Sequence, residues 1–174
     1  MEATTGTDHH SPVSAEPVET EYFTAPLGEP AFEREASLIA TCYQRVFGTD
    51  AAWNEGMKCP ACSRPGAPRK WNFNDAPAKC PTCHGALAEF WPIDQIIADM
   101  RTELARPDAV CAVLHKGHEV IGACWGYSAT AEELDAHLNH GLDEANRAPN
   151  IVQTLRAMYP GVERFAYQDE IFIL

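Results

Sequence analysis

Four cysteines in two matched pairs are the residues of this chain whose types and spacing most directly specify a chemistry. They form two Cys-Pro-x-Cys motifs, Cys59 with Cys62 and Cys80 with Cys83. Two cysteines separated by two residues can direct both sulfurs to one ion, and a second pair completes a tetrahedron of thiolates. Four protein ligands leave zinc no open position, so the pattern predicts a structural Zn²⁺ site whose binding energy stabilises the fold. Two disulfides or a redox-active pair are the alternatives for this spacing.

Three further cysteines, Cys42, Cys111 and Cys124, lie inside apolar segments. We predict that they are buried small hydrophobic side chains, and unpaired thiols suit a reducing cytoplasm better than an oxidising exterior. No apolar run approaches the roughly 20 residues that a membrane-spanning helix needs. The first residues are acidic and threonine-rich rather than basic and then apolar, which argues against a secretory signal. The sequence therefore predicts a soluble, cytoplasmic protein without membrane contact.

The formal net charge of -12 argues against binding of the whole chain to nucleic acid or anionic lipid. The basic residues are nevertheless concentrated beside the metal-binding motifs, where five of the thirteen lie: Lys58, Arg64, Arg69, Lys70 and Lys79. With Trp71 and Phe73 they could form a surface that stacks on a single nucleic-acid strand. Alternatively, they offset the negative charge of four thiolates around one zinc. The acidic remainder of the chain favours the second interpretation.

Hydrophobic periodicity predicts two helices that flank the cysteine motifs. Residues 1–28 lack periodic apolar positions, so we expect a flexible tail there. Apolar residues then recur at steps of three and four in two stretches. One predicted helix runs from near Pro30 to Gly48, and the other begins after Pro92 and ends at Arg106-Pro107. The inward faces are expected to be Phe32, Ala36, Ile39, Tyr43 and Val46 in the first helix, and Ile93, Ile96, Ile97, Met100 and Leu104 in the second.

A β-hairpin is predicted after the second helix. Two apolar runs, Val110–His115 and His118–Tyr127, flank a Lys116-Gly117 turn. Gly122 and Gly126 within the second run indicate a bulge or a close approach of another backbone.

Two short helices and a final strand complete the prediction. A capping box from Thr130 to Glu133 opens one helix, and Pro149 precedes the other. His137 and His140 lie three apart on the first of these, and we interpret them as solvated helix residues rather than metal ligands. The pattern of residues 164–174 predicts a strand. Its alternation is expected to place one set of side chains on the same face: Phe165, Tyr167, Asp169, Ile171 and Ile173.

The order of these elements and several short motifs resemble the amino-terminal half of the GNAT superfamily of acyl-CoA N-acyltransferases. The helix ending Tyr43-Gln-Arg-Val-Phe47-Gly resembles the family's first helix, and the loop that continues to Trp53-Asn-Glu resembles the loop after it. The segment from Ala112 to Gly122 resembles its second and third strands, and Tyr167-Gln-Asp-Glu-Ile171 its fourth. The resemblance covers residues 31–174. The cysteine insertion is similar to one seen in some bacterial members.

The resemblance implies an α+β fold, with helices packed on a short, mainly antiparallel, partial GNAT-like sheet. Residues 29–57 and 86–174 are expected to form this domain, which is incomplete at its carboxyl end, and residues 58–85 a zinc-ribbon insertion. It also implies transfer of an acyl group from acetyl-CoA to an amine. The family's phosphate-binding loop, Arg/Gln-x-x-Gly-x-Gly/Ala, is expected after the fourth strand, where this chain ends. We therefore expect the chain to be inactive by itself.

The same resemblance points to the candidate catalytic residues. Glu170 and Asp169 occupy the position at which a carboxylate commonly accepts the proton of the amine. Because neighbouring residues of a strand alternate, only one of them is expected to face the cleft. The backbone of Ile171, Phe172 and Ile173 is expected to align the acyl-pantetheine arm of acetyl-CoA.

Two classes of function follow from the sequence. One is the amino-terminal part of an N-acetyltransferase, and the other is a non-catalytic zinc-ribbon module that binds a protein or nucleic acid. A partial sheet would leave its last strand unpaired at the edge, so we also predict self-association, or pairing with a completing chain, through residues 164–174.

Overall fold

A computed structural model describes residues 17–24, 29–63, 68–140, 147 and 150–174 of the chain. Within these residues the fold is α+β, with four helices and two antiparallel sheets. The helices are α1 (Glu29–Thr49), α2 (Ile93–Leu104), α3 (Ala131–Leu138) and α4 (Ile151–Met158). The strands are β1 (Val18–Thr24), β2 (Met57–Lys58), β3 (Lys70–Trp71), β4 (Ala88–Glu89), β5 (Val110–Lys116), β6 (Glu119–Ala129) and β7 (Phe165–Ile173).

Helices α1 and α2 occupy the predicted positions and pack on the main sheet. Ile39 of α1, Met100 of α2 and Val113 of β5 are almost wholly inaccessible, so the core lies between the two helices and one face of the sheet. Burial of side chains of this size stabilises a fold by about 1.5–3 kcal/mol each. Tyr43 and Phe47 extend this core at the carboxyl end of α1, where their rings contact Phe172 of β7.

The main sheet has the strand order β1-β5-β6-β7, and all its pairs are antiparallel. The prediction of a flexible tail over residues 1–28 is wrong for residues 18–24, which pair with β5 from Val18 opposite Lys116 to Thr24 opposite Val110. Their backbone hydrogen bonds to the edge of β5 stabilise a segment that is too polar to fold alone. Residues 1–16 and 25–28 lie outside the described residues.

The predicted hairpin is present, but its turn is one residue later than expected. Strand β5 extends to Lys116, and Gly117 and His118 form the turn, with Gly117 at a φ of 61°. Gly122 and Gly126 fulfil the predicted close approach, because a Cβ atom would lie 2.7 Å from the Phe172 carbonyl oxygen at Gly122 and 2.3 Å from the Tyr167 oxygen at Gly126. Strand β7 can therefore pair closely with β6.

The alternation predicted for the last strand holds only in its first half. Gly126 of β6 pairs with Gln168, whereas the preceding Trp125 pairs with Glu170, so Asp169 is an extra residue on β7. This β-bulge reverses the inward and outward positions after it. Ile171 and Ile173 were predicted to share a face with Phe165, but they point outward with exposures of 58% and 57%, and Phe172 is buried instead.

The second sheet is small and has the order β3-β2-β4. Met57 pairs with Trp71 on one side and with Glu89 on the other, so the sheet spans more of the chain than the predicted insertion at 58–85. The two cysteine motifs lie between its strands.

Helix α3 begins with the predicted capping box. The Thr130 hydroxyl accepts a hydrogen bond from the Glu133 backbone, and the Glu133 carboxylate accepts one from the Thr130 backbone. Helices α3 and α4 pack against each other, while Gly141, the predicted end of α3, lies outside the described residues. None of the described helices combines the length and apolar character that a membrane span requires.

Candidate metal centre and acidic pocket

The four cysteines of the two motifs converge on one point. Their sulfur atoms all lie within 4.8 Å of one another. The Cys59 and Cys83 sulfurs are 3.5 Å apart, and those of Cys62 and Cys80 are 3.8 Å apart. Four thiolates at about 2.3 Å from a central zinc ion would be separated by about 3.8 Å, so the cluster has the dimensions of a tetrahedral metal site.

Tight backbone turns bring each cysteine pair together. In the first motif, the backbone N–H groups of Cys62 and Ser63 both donate to the Cys59 carbonyl oxygen. In the second, the His84 N–H donates to the Cys80 carbonyl, and His84 adopts a left-handed φ of 57°. Backbone hydrogen bonds, chiefly from Cys83, lower the pKa of the Cys80 thiol to about 6, whereas burial raises the pKa of Cys59 and a hydrogen bond with Cys83 raises that of Cys62 to about 12. Cys80 is therefore the member of these three that most readily takes the thiolate form, which is the form that binds a metal.

All seven cysteines of the chain are free in the structure, so neither cysteine motif forms a disulfide. Outside the cluster, Cys42 and Cys111 are buried as predicted, and burial raises the pKa of the Cys42 thiol to about 11 and that of Cys111 to about 12. Cys124 is only partly buried.

Two of the basic residues beside the cluster make contacts within the protein. Lys70 pairs with Glu55 at 2.8 Å, and Lys58 donates to the Phe90 carbonyl oxygen at 3.0 Å. The guanidinium group of Arg69 lies 5.8 Å from the centre of the Trp71 ring. Lys79 is exposed, and Arg64 lies outside the described residues. These internal contacts account for Lys58 and Lys70 without a nucleic-acid strand.

Glu55 connects the cysteine lobe to a second candidate site. One of its carboxylate oxygens accepts a hydrogen bond from Lys70, and the other accepts one from the Trp91 indole N–H at 2.8 Å. The Trp91 carbonyl oxygen also accepts a hydrogen bond from Gln44 of α1. Trp91 follows β4 closely, so the lobe and α1 together determine the position of its ring.

Trp91 forms one wall of a cavity of about 160 Å³ at the junction of α1, α2, α3 and the main sheet. Its lining combines aromatic rings with ionisable groups: Tyr43, Trp91, Ile96, Asp99, Glu103, Trp125, His137, Asp169 and Glu170. We call this cavity the acidic pocket. A larger hollow of about 590 Å³ lies along β5, β6 and β7, but Asp108 is the only charged residue in its lining. The acidic pocket is therefore the better candidate for chemistry.

Both predicted catalytic carboxylates reach the acidic pocket. The expectation that only one of Asp169 and Glu170 can face the cleft is wrong, because the bulge at Asp169 interrupts the alternation of β7. The Asp169 side chain is only 8% exposed. Two adjacent carboxylates in one small cavity repel each other, which favours proton uptake by one of them.

Glu170 is held in a state between charged and neutral at pH 7. Burial is the main effect that raises the pKa of its carboxyl group to about 7, and the charge of Asp169 acts in the same direction. The Tyr43 hydroxyl opposes this shift, because it donates a hydrogen bond to Glu170 Oε1 at 3.1 Å. A carboxyl group with a pKa close to the operating pH is suited to general acid–base catalysis.

Glu103 is a third carboxyl group in the same pocket. Burial and a hydrogen bond to Asp169 raise its pKa to about 8, so it is mainly protonated at pH 7. The Trp125 indole N–H donates to Glu103 Oε2 at 2.6 Å. On the other side of the pocket, His137 Nε2 lies 3.0 Å from Asp169 Oδ1. Asp169 is thus held between Glu103 and His137.

Sequence reasoning missed several residues of this pocket. Our interpretation of His137 as a solvated helix residue is wrong, since its side chain is 30% exposed and paired with Asp169, whereas His140 is exposed. The periodicity of α1 predicted Tyr43 only as a buried core residue, and no sequence pattern pointed to Glu103. No local motif indicates the contact of Tyr43 with Glu170, because the two residues are 127 positions apart.

The three residues expected to align an acyl-pantetheine arm lie beside the acidic pocket, immediately after Glu170. Among the described residues, β7 pairs with β6 alone, so the backbone of Ile171–Ile173 has no strand on its outer side. Phe172 faces the core, and its ring packs against Trp125 of the pocket wall. The outer edge of β7 can therefore accept an extended ligand through its backbone groups.

Comparison of the chain with protein-family models, with curated proteins and with solved structures finds no match.

Proposed function

We propose that the acidic pocket binds a cationic amine and removes its proton, and that the chain thereby forms the amine side of an N-acyltransferase. The observation that carries this proposal is the position of Glu170, which has a pKa of about 7 and lies in a pocket with aromatic walls. An ammonium group is attracted both to carboxylates and to the faces of tryptophan rings. It must also lose a proton before its nitrogen can act as a nucleophile.

The residues of the pocket have distinct roles in this proposal. Glu170, in its ionised form, accepts one proton of the bound ammonium group, and the freed electron pair of nitrogen attacks the thioester carbonyl carbon of the acyl donor. The C–N bond forms as the C–S bond breaks, and the leaving thiolate takes up a second proton from the nitrogen. Tyr43 stabilises the charged form of Glu170, whereas Asp169 makes Glu170 more basic. Protonated Glu103 and the His137 ring hold Asp169 in position. Trp91 and Trp125 form the walls that receive the ammonium group.

The acyl donor in this proposal is acetyl-CoA, which supplies a thioester whose carbonyl carbon is attacked by an amine. The resemblance to the GNAT superfamily suggests this donor, and the outer edge of β7 at Ile171–Ile173 is the part of the described chain that fits its pantetheine arm. Because this edge adjoins Glu170, a thioester along it would lie next to the proposed base.

Amine binding can be tested separately from acyl transfer. Spermidine and tyramine would be titrated into ¹⁵N-labelled protein while the indole N–H resonances of Trp91 and Trp125 are recorded. Both resonances are expected to shift at pH 7, and the double substitution Asp169→Asn and Glu170→Gln is expected to abolish the shift. Glu163→Gln, which changes an exposed carboxylate, is the matched control. Unchanged indole resonances with both amines would refute the proposed binding site.

Acyl transfer would then be followed as release of the CoA thiol from acetyl-CoA in the presence of the same amines. The resemblance predicts that the chain alone is inactive, whereas the acidic pocket leads us to propose thiol release that depends on the amine, with a loss of about 100-fold or more in the Glu170→Gln variant. Amine binding without any thiol release would refute the acyltransferase function and leave an amine-binding pocket.

For the cysteine cluster, we propose a structural Zn²⁺ ion held by Cys59, Cys62, Cys80 and Cys83. The sulfur separations and the complete set of four thiolates support this assignment. Elemental analysis of protein purified without added chelator is expected to give one zinc per chain through this cluster. A Cys80→Ser variant that keeps the same zinc content would argue against it.

A further inference from the structure

Three ionisable side chains meet between the first turns of α1 and the β1–β5 edge of the main sheet. Glu21 comes from β1, Glu35 from α1 and His115 from β5. One donor atom from each residue lies within 4.8 Å of the other two. None of the three residues belongs to the cysteine cluster or to the acidic pocket.

Two buried side-chain atoms in this group have no hydrogen-bond partner. They are Oε2 of Glu35 and Nε2 of His115. Glu35 is 6% exposed, so its carboxylate is almost entirely removed from water. The two atoms are 3.7 Å apart, which is longer than a hydrogen bond. A buried carboxylate oxygen without a partner is energetically costly, so its retention calls for an explanation.

Arg34 orients the two carboxylates toward the histidine. Its Nε atom donates to Glu35 Oε1 at 2.9 Å, and its Nη2 atom donates to Glu21 Oε1 at 3.1 Å. Each carboxylate therefore uses one oxygen for the arginine and keeps the other free. The free Oε2 atoms lie 3.7 Å (Glu35) and 3.8 Å (Glu21) from His115 Nε2. Partners that orient a ligand through its second oxygen are typical of metal sites.

We propose that Glu21, Glu35 and His115 form a second metal site, which binds a divalent transition-metal ion such as Zn²⁺ or Mn²⁺. Two ligands at about 2.1 Å from one tetrahedral ion are separated by about 3.4 Å, so a small inward movement of the three donors would complete the contacts. Two carboxylates and one arginine leave a negative charge that a dication offsets. The imidazole ligand favours a transition metal over Mg²⁺ or Ca²⁺, which prefer oxygen.

Manganese is the most selective probe of this site, because the thiolates of the cysteine cluster are soft ligands and disfavour it. Protein that carries one zinc per chain, bound by the four thiolates of the cysteine cluster, would be titrated with Mn²⁺, and free Mn²⁺ would be measured by electron paramagnetic resonance. We expect one bound Mn²⁺ per chain. His115→Ala is expected to weaken binding by about tenfold or more. His118→Ala, which removes an exposed histidine three positions further along, is the matched control and should leave binding unchanged.

A second variant distinguishes the loss of a metal ligand from the loss of folding. Glu35→Gln keeps the size of the side chain but removes a charged ligand, so it is also expected to weaken Mn²⁺ binding, while circular dichroism reports whether both variants remain folded. The proposal is refuted if folded wild-type protein binds no Mn²⁺, or if the His115→Ala and Glu35→Gln variants bind it as the wild type does.

Discussion

Glu170 has neighbours that act on its proton affinity in opposite directions. Burial and the Asp169 charge raise the pKa of its carboxyl group, and the Tyr43 hydroxyl lowers it by donating a hydrogen bond to the charged form. The same surroundings raise the pKa of Tyr43, first through burial and then through the charge of Glu170. Tyr43 therefore remains a hydrogen-bond donor throughout the pH range in which Glu170 titrates.

Substitution of Tyr43 by phenylalanine tests this balance. The variant loses the donor that stabilises the ionised carboxylate, so the pKa of Glu170 is expected to rise above its wild-type value of about 7. The pKa can be measured by ¹³C NMR of the glutamate carboxyl groups over a pH titration. Tyr159→Phe, at an exposed tyrosine, is the control. A lower or unchanged pKa in the Tyr43→Phe variant would show that the hydroxyl does not stabilise the carboxylate.

Glu103 links the pH to the stability of the fold. Its pKa rises from 4.5 to about 8 on folding, so between these values the folded state binds more protons than the unfolded state. The contribution of Glu103 to stability is therefore present at low pH and is lost as the pH rises from about 5 to about 8. Glu103→Gln keeps a neutral side chain at every pH and removes this dependence.

The difference in the free energy of unfolding between Glu103→Gln and the wild type should thus shift in favour of the variant as the pH rises through this window. Urea unfolding at a series of pH values measures it, with Glu163→Gln as the control. If the difference has no slope between pH 5 and 8, Glu103 is ionised in the folded protein and the assignment of its proton is wrong.

At the scale of the elements, the short strands of the cysteine lobe and the acidic pocket depend on each other. Strand β4 is only two residues long, and such a strand is not stable without further support. The cysteine cluster provides that support on one side. On the other side, the Phe73 N–H donates to the Gly48 carbonyl of α1, and the Phe73 ring covers Gly48 and Gly56 closely enough to exclude any side chain there.

Removal of one metal ligand should therefore change the surroundings of Trp91 in the acidic pocket. In a Cys62→Ser variant we expect loss of the bound zinc, local unfolding of β2–β4 and broadening of the Trp91 indole resonance. The indole should respond because its hydrogen-bond partner Glu55 lies only two residues before β2. Cys124→Ser, which changes a partly buried cysteine of β6, is the matched control and should retain the zinc. Hydrogen exchange of β5 and of the amino-terminal half of α1 is expected to change little, because their core contacts do not involve the lobe. An unchanged Trp91 resonance in metal-free Cys62→Ser protein would show that the acidic pocket does not depend on the lobe.

At the scale of the whole molecule, the outer edge of β7 combines exposed apolar side chains with an open strand edge. Ile171, Ile173 and Leu174 all have large exposed side chains, and the described residues provide no strand beyond β7. An unprotected strand edge with apolar side chains is a template for pairing with another chain. Pairing with a second copy would also cover the backbone of Ile171–Ile173, where we place the acyl donor.

Self-association through this edge is testable by analytical ultracentrifugation at several concentrations. The double substitution Ile171→Lys and Ile173→Lys adds charge to the edge and is expected to reduce association by at least about tenfold, which corresponds to 1.4 kcal/mol. Val18→Lys places the same charge at an exposed position on β1, the opposite edge of the sheet, and is the control. If Val18→Lys reduces association and the double variant does not, the chains pair through β1.

Features that depend on local spacing follow from the sequence alone. Cysteines three positions apart must share one turn, and apolar residues at steps of three and four must share one helix face, so the cysteine cluster and the cores of α1 and α2 could be predicted. The capping box of α3 is equally local, since its two partners are three residues apart. In each case the chain geometry over a few residues limits where the side chains can go.

The acidic pocket and the Glu21–Glu35–His115 group were decided by the tertiary structure. Asp169 and Glu170 face the same cavity only because β7 carries one more residue than β6 at that point, and the sequence of β7 alone shows no bulge. His137 reaches Asp169, and Glu21 reaches His115, through strand pairing and helix packing that join distant parts of the chain. The positions of these groups depend on register and on the packing of several elements at once, which local periodicity does not encode.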